Sequence, residues 1–181
     1  FKFFNRKQYR RLFKSNTCHR LKELGDIEFV IELLEEDHIR KYYNKRWYPE
    51  SLYLLAMLDY LSRKYILCAA SNGPHAQQIN RLKNADMLGY FSHCFISQEI
   101  GASKPSCDFF SYAINKLNED KDEKILPCEI MMVGDSLSSD ITGACNSGLI
   151  SCFYDRGQTL DTKGLKVDYI IGDLREIFEI L

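Results

Sequence analysis

Two carboxylates, Asp135 and Asp140, stand five positions apart in Gly134-Asp135-Ser136-Leu137-Ser138-Ser139-Asp140. The stretch follows an apolar run, residues 130–133, and opens a helical pattern. Two carboxylates on a strand-to-helix turn are how an α/β protein holds a divalent cation beside a phosphate. Mg²⁺ takes oxygen ligands, usually one or two carboxylates with water completing the shell. Asp135 is the candidate direct ligand, and Asp140 acts directly or through a water. Asp140 also suits a first helical turn, where an acidic side chain favours the helix dipole. Ser136, Ser138 and Ser139 can serve as caps.

Two other strand ends carry matching chemistry. Ser71-Asn72-Gly73 follows the apolar run 65–70 and offers a hydroxyl, an amide and a flexible N–H to phosphate oxygens. The same three residue types also form tight turns. Gln98-Glu99-Ile100-Gly101-Ala102-Ser103-Lys104-Pro105 follows the short run 94–96. A lysine fixed before a proline at the mouth of a sheet can neutralise a phosphate or carboxylate, and it can equally be a solvated lysine before a helix.

These turns need strands behind them and helices after them. The pattern predicts helices over 50–64, 75–85, 107–117 and 138–146, and a last helix beginning at Asp173. Strands are predicted at 65–70, 94–96, 130–133, 150–154 and 167–171. Strands that are apolar end to end and alternate with helices indicate a parallel sheet covered on both faces. Such sheets bind ligands at the carboxyl ends of their strands. Residues 1–46 read as helical throughout, with no strand candidate, so the chain is divided into 1–46 and 47–181.

Composition sets the class. The chain has 181 residues, 45% hydrophobic and 27% charged, with eleven Tyr and eleven Phe, which suits a globular protein with a substantial core. A net charge of −1 argues against a nucleic-acid or anionic-membrane surface. No apolar run is long enough to span a bilayer, and no signal peptide opens the chain. The seven cysteines include no C-x-x-C pair. Cys68, Cys94 and Cys152 lie in apolar runs and are expected to be reduced and buried, which points to the cytoplasm.

In order, placement and spacing, these residues resemble the haloacid dehalogenase superfamily of phosphohydrolases. Ser71 matches the second of that family's four motifs, Lys104-Pro105 the third, and Gly134-Asp135 through Asp140 the fourth. Finer features are similar to the YjjG-type pyrimidine 5′-nucleotidases: Ser71-Asn72-Gly73, the run Ile96-Ser97-Gln98-Glu99-Ile100-Gly101, and Gly134-Asp135-Ser136. The resemblance covers about residue 48 to the end, and residues 1–46 look like the trailing part of the family's helical cap.

The resemblance implies a Rossmann-like α/β core and a Mg²⁺-dependent phosphomonoesterase acting on a small phosphorylated metabolite, a nucleoside monophosphate being one candidate. Catalysis would pass through an aspartyl-phosphate. Ser71 and Lys104 would be catalytic, and Ser71, Asn72, Gly73 and Lys104 would hold the phosphate. Asp135 and Asp140 would hold the metal. The alternative is a truncated or degenerate relative that binds phosphate or a partner without turnover.

The family's first motif, an Asp-x-Asp after a buried strand, is missing. The only Asp-x-Asp, Asp120-Lys121-Asp122, lies in a polar loop and reads as a solvated charge run. In the family that strand sits between those of the second and fourth motifs. Without it, strands 65–70 and 130–133 would expose unpaired backbone groups mid-sheet, at about 1–3 kcal/mol for each buried group. The expectation is therefore that residues 1–181 are not self-sufficient, and that upstream residues or another chain supply the strand.

Aromatic Tyr42, Tyr43, Trp47 and Tyr48 cluster where the two segments join and can stack on a base or pack a hinge. His75 follows the phosphate turn. His19, His38 and His93 have no ligand spacing.

Overall fold

Six strands form one sheet in the order β3-β2-β1-β4-β5-β6. They are β1 (Lys2–Asn5), β2 (Cys68–Ser71), β3 (His93–Ile96), β4 (Ile130–Gly134), β5 (Ile150–Tyr154) and β6 (Tyr169–Ile171). The structure is a computed structural model and describes residues 2–5, 49–156 and 161–181. Among the described residues the α-helices are α1 (Pro49–Ser62), α2 (His75–Asn84), α3 (Ser97–Ile100), α4 (Cys107–Leu117), α5 (Thr142–Asn146) and α6 (Ile177–Ile180). The chain divides into two compact units, Phe1–Lys7 with Ile66–Leu181, and Gln8–Tyr65. Most of the expected helical cap lies outside the described residues.

β2 pairs with β3, β4 with β5 and β5 with β6, all parallel. A parallel sheet covered on both faces favours apolar strands, and these are apolar apart from Ser71, His93 and Ser151. In β4 every residue from Ile130 to Gly134 is buried.

The centre of the sheet corrects the sequence expectation. β2 and β4 are not left with unpaired edges. Lys2–Asn5 lies between them and runs antiparallel to both. Lys2 pairs with Ala69 on one side and Val133 on the other, and Asn5 reaches Ile130. The helical reading of this segment fails because buried backbone groups on two neighbouring strands demand partners, and that demand outweighs local propensity. A chain segment of reversed direction satisfies it as well as a parallel one. The strand filling the central position is thus Lys-Phe-Phe-Asn and carries no Asp-x-Asp.

α4 seals one side of the core. Ser106 caps it by accepting from the Asp108 N–H at 3.2 Å. Its apolar residues Phe109, Ala113 and Leu117 recur every four positions, on one face. With Phe110 they pack into a cluster with Cys68, Ala70, Ile130 and Met132 from the strands. Gly143 in α5 sits against this helix, where an added Cβ would overlap the Phe110 ring and lie 3.2 Å from Pro105 Cα. Any larger residue would push the turn carrying Asp140 away from the Lys104-Pro105 loop.

Asp120 and Asp122 are exposed. Their loop is closed by the Asn118 side chain, which accepts from the Ile125 N–H at 2.6 Å and donates to its C=O at 2.9 Å. The loop feeds the amino end of β4, at the opposite end of the strand from Gly134. No described helix is long and apolar enough to cross a membrane.

Candidate functional site at the strand ends

The carboxyl ends of β2 and β4 and the loop after α3 bring Ser71, Lys104 and Asp140 together. The Lys104 ammonium donates to the Ala70 carbonyl at 2.8 Å and to Asp140 Oδ1 at 2.7 Å. Both side chains are buried, at 2% and 0% exposure. Burial pushes the Lys104 pKa below the ordinary lysine range, while the Asp140 charge, its hydrogen bond and the more distant Asp135 pull it back up. Asp140 Oδ1 also accepts from the Ser139 hydroxyl at 3.4 Å, and Oδ2 from the Ser136 N–H at 3.2 Å.

Local geometry explains how Asp140 reaches this place. The turn after β4 is a single π-helical turn, Leu137–Ile141, that runs into α5. Ser136 caps it, its hydroxyl accepting from the Ser139 N–H at 3.2 Å. A Cβ at Gly134 would lie 2.5 Å from Asp140 Oδ2, so only glycine lets the carboxylate close against the strand end.

Asn72 does something its motif does not announce. Its amide donates to the Lys104 C=O at 3.0 Å and accepts from the Lys104 N–H at 2.9 Å. The amide therefore clamps the backbone of the lysine. The Gly73 N–H donates to the Ser97 hydroxyl at 2.9 Å, and the His75 N–H donates to Gln98 Oε1 at 2.7 Å. The β2 turn is thus tied to α3. The Lys104–Pro105 peptide bond is cis. The Ser71 hydroxyl makes only a long contact, 3.4 Å to the Asn72 C=O.

Asp135 faces outward at 35% side-chain exposure, and Arg156 Nη2 stands 3.3 Å from its Oδ2. Arg156 follows β5 and lies over the Tyr154 ring, Cζ 5.3 Å from the centroid. Arg156 carries no motif signal, and Ser97 appears only within the run 96–101 with no role assigned to it. Their one clue in the sequence is position, each standing just beyond a strand whose carboxyl end lines the site.

The donor chemistry fits a hard divalent cation. Asp135 is an accessible carboxylate that already attracts a cationic side chain. Asp140 is close by in the same turn, with its charge held by Lys104. Among the described residues no three His, Cys, Asp or Glu side chains gather as a metal cluster. The described residues would supply these two carboxylates, with water and phosphate oxygens among the remaining ligands, as Mg²⁺ often has it. Tyr42, Tyr43, Trp47, Tyr48, His19 and His38 lie outside the described residues. His93 stacks on Phe95 with ring centroids 5.6 Å apart.

The sequence profile of haloacid dehalogenase-like hydrolases matches residues 5–148. Pyrimidine 5′-nucleotidase YjjG of Escherichia coli is 31% identical over 111 residues, 61% of this chain and 47% of that enzyme. Phosphoserine phosphatase of Thermus thermophilus is 30% identical over 158 residues, 87% of this chain and 60% of the relative. The chain spans about half the length of the curated relatives it matches. Among solved structures, the putative HAD-hydrolase YfnB of Bacillus subtilis bound to magnesium superposes with a TM-score of 0.63 at 21% identity. That match covers 96% of this chain and 82% of the other.

Proposed function

Because the chain belongs to the haloacid dehalogenase-like hydrolases, we propose that it forms the phosphate-handling part of a Mg²⁺-dependent phosphomonoester hydrolase. The observation that carries the reading is Lys104, a buried ammonium fixed between Ala70 O and Asp140 at the mouth of the sheet. A desolvated cation held by a clamped backbone is preorganised for the charge of a transferring phosphoryl group.

Each residue then has a task. Ser71, with no strong partner of its own, donates its hydroxyl to a phosphoryl oxygen. Lys104 offsets the phosphate charge. Asn72 and Gly73 hold the turn and the lysine in register rather than touching phosphate through their committed groups. Asp135 would bind Mg²⁺, and Asp140 would anchor the lysine and reach the cation directly or through water. The cation, when bound, supplies charge neutralisation and orientation of the phosphate. The substrate class is a small phosphorylated metabolite, with a nucleoside monophosphate suggested by the likeness to the YjjG and PynA nucleotidases. Free thiols at Cys68 and Cys152, both buried, suit a cytoplasmic protein.

In this proposal the carboxylate that takes the phosphoryl group comes from a segment outside these 181 residues. It would enter on a strand between β2 and β4, and Lys2–Asn5 would yield that place. The presence of Lys2–Asn5 there favours a second reading, a relative that binds phosphate without turnover.

Hydrolysis of a phosphomonoester panel by the full-length protein, with and without Mg²⁺ and beside Asp135→Ala, tests both. Metal-dependent turnover lost in the variant supports the enzyme. Phosphate binding without turnover supports the second reading, and metal-dependent turnover retained in Asp135→Ala refutes the metal assignment.

A further inference from the structure

Arg156 is the one cation that reaches Asp135 among the ion pairs of the described residues. Its pairing is unlike most others at the surface. Arg63–Asp59, Lys116–Glu119 and Arg175–Asp173 each join neighbours in sequence. Arg156 instead extends from the end of β5 to the end of β4, onto the carboxylate read above as a metal ligand. The contact is open to solvent, with Arg156 70% and Asp135 35% exposed. At 3.3 Å it is also longer than a tight charge-assisted hydrogen bond.

We propose that Arg156 competes with a divalent cation for Asp135 and so sets the affinity of the site for that cation. This inference rests on the reading of Asp135 as a metal ligand. A guanidinium and a hard cation cannot share one carboxylate without facing each other's charge at short range. Bound together they repel, and separately each neutralises the carboxylate. The pair is exposed and therefore weak, so a cation can displace it. The face of Tyr154 gives the displaced guanidinium a second resting place, since it already lies under Arg156. Arg156 then acts as a stand-in charge that keeps Asp135 neutralised until the cation arrives. It is a positioning residue for the site and need not touch substrate.

The test is Mg²⁺ binding to the full chain by titration calorimetry at fixed ionic strength, without substrate. Arg156→Ala is expected to bind Mg²⁺ about two- to fivefold more tightly than the parent, the range set by removing an exposed ion pair. Lys163→Ala removes one exposed positive charge elsewhere and is expected to leave the affinity as it was. Added salt is expected to narrow the gap between parent and Arg156→Ala, because screening weakens the competing pair. Equal or weaker binding by Arg156→Ala, with binding lost in Asp135→Asn, overturns the competition while leaving the metal assignment standing. Binding that is absent from the parent and from Arg156→Ala overturns both. An equal gain from Lys163→Ala reduces the effect to net charge and overturns the specific role.

Discussion

The side chain of Asn72 closes both backbone hydrogen bonds of Lys104, a residue 32 positions further along the chain. The phosphate turn after β2 and the lysine loop after α3 are therefore one unit. The lysine's backbone is held by one strand end while its ammonium is held by another.

Replacing Asn72 with Ala should remove two neutral hydrogen bonds at about 0.5–1.5 kcal/mol each. Under the proposed function, turnover of the protein that carries the nucleophile segment should fall through kcat more than through KM, since Lys104 loses its placement. Asn72→Asp keeps the acceptor for the Lys104 N–H and loses the donor to its C=O, so it should lie between. Urea unfolding together with steady-state kinetics would check this, and a pure KM effect would point to direct phosphate contact instead.

Lys104→Ala leaves the Asp140 charge buried without its partner. A loss of roughly 3–5 kcal/mol is expected from breaking a buried pair on one side. The double variant Lys104→Met with Asp140→Leu should recover much of that stability without any activity. Chemical denaturation of the three proteins would decide it, and a small cost for the single variant would mean that water reaches the pair.

Gly134→Ala should destabilise the chain by about 1–3 kcal/mol, because the new methyl meets the Asp140 carboxylate. The Lys104–Asp140 contact should loosen with it. A thermal melt and the Mg²⁺ affinity of the variant read the two effects, and an unchanged melt would show that the π-helical turn can shift to make room.

Burial pushes the thiols of Cys68 and Cys152 up to about 12, while Cys107, Cys128 and Cys145 are exposed. Alkylation requires the thiolate. Near pH 8 the native protein should label at the exposed cysteines and spare Cys68 and Cys152, which should react only on unfolding. Mass spectrometry after iodoacetamide treatment would show this directly.

Much of the architecture was legible because its signals are local. α4 spans Cys107–Leu117, the range that the apolar pattern predicts. β4 follows from an unbroken apolar run, and β5 from one interrupted only by Ser151. The haloacid dehalogenase-like match also bears out the family resemblance carried by Ser71, Lys104 and the 134–140 turn. Where the answer depended on a distant partner, the sequence was silent. The segment from 138 onward reads as ordinary helix, since nothing in Ser136, Ser138 and Ser139 announces a π turn. Asn72 looks like a phosphate ligand until its partner at Lys104 is seen. Lys2–Asn5 reads as part of a helical block, because only the vacancy between β2 and β4 makes it a strand.

The reversed strand also bears on the order in which the molecule assembles. β1 ties Lys2 to Val133, whereas the parallel pairs join much nearer segments, such as Ala69 with Cys94 and Met132 with Ser151. Closing the longer loop costs more chain entropy and comes later in folding. Two half-sheets should form first and be stitched together at the end by a four-residue seam. In amide exchange that seam should open before the strands it joins, so that the middle of the sheet, ordinarily its most protected part, becomes its line of weakness.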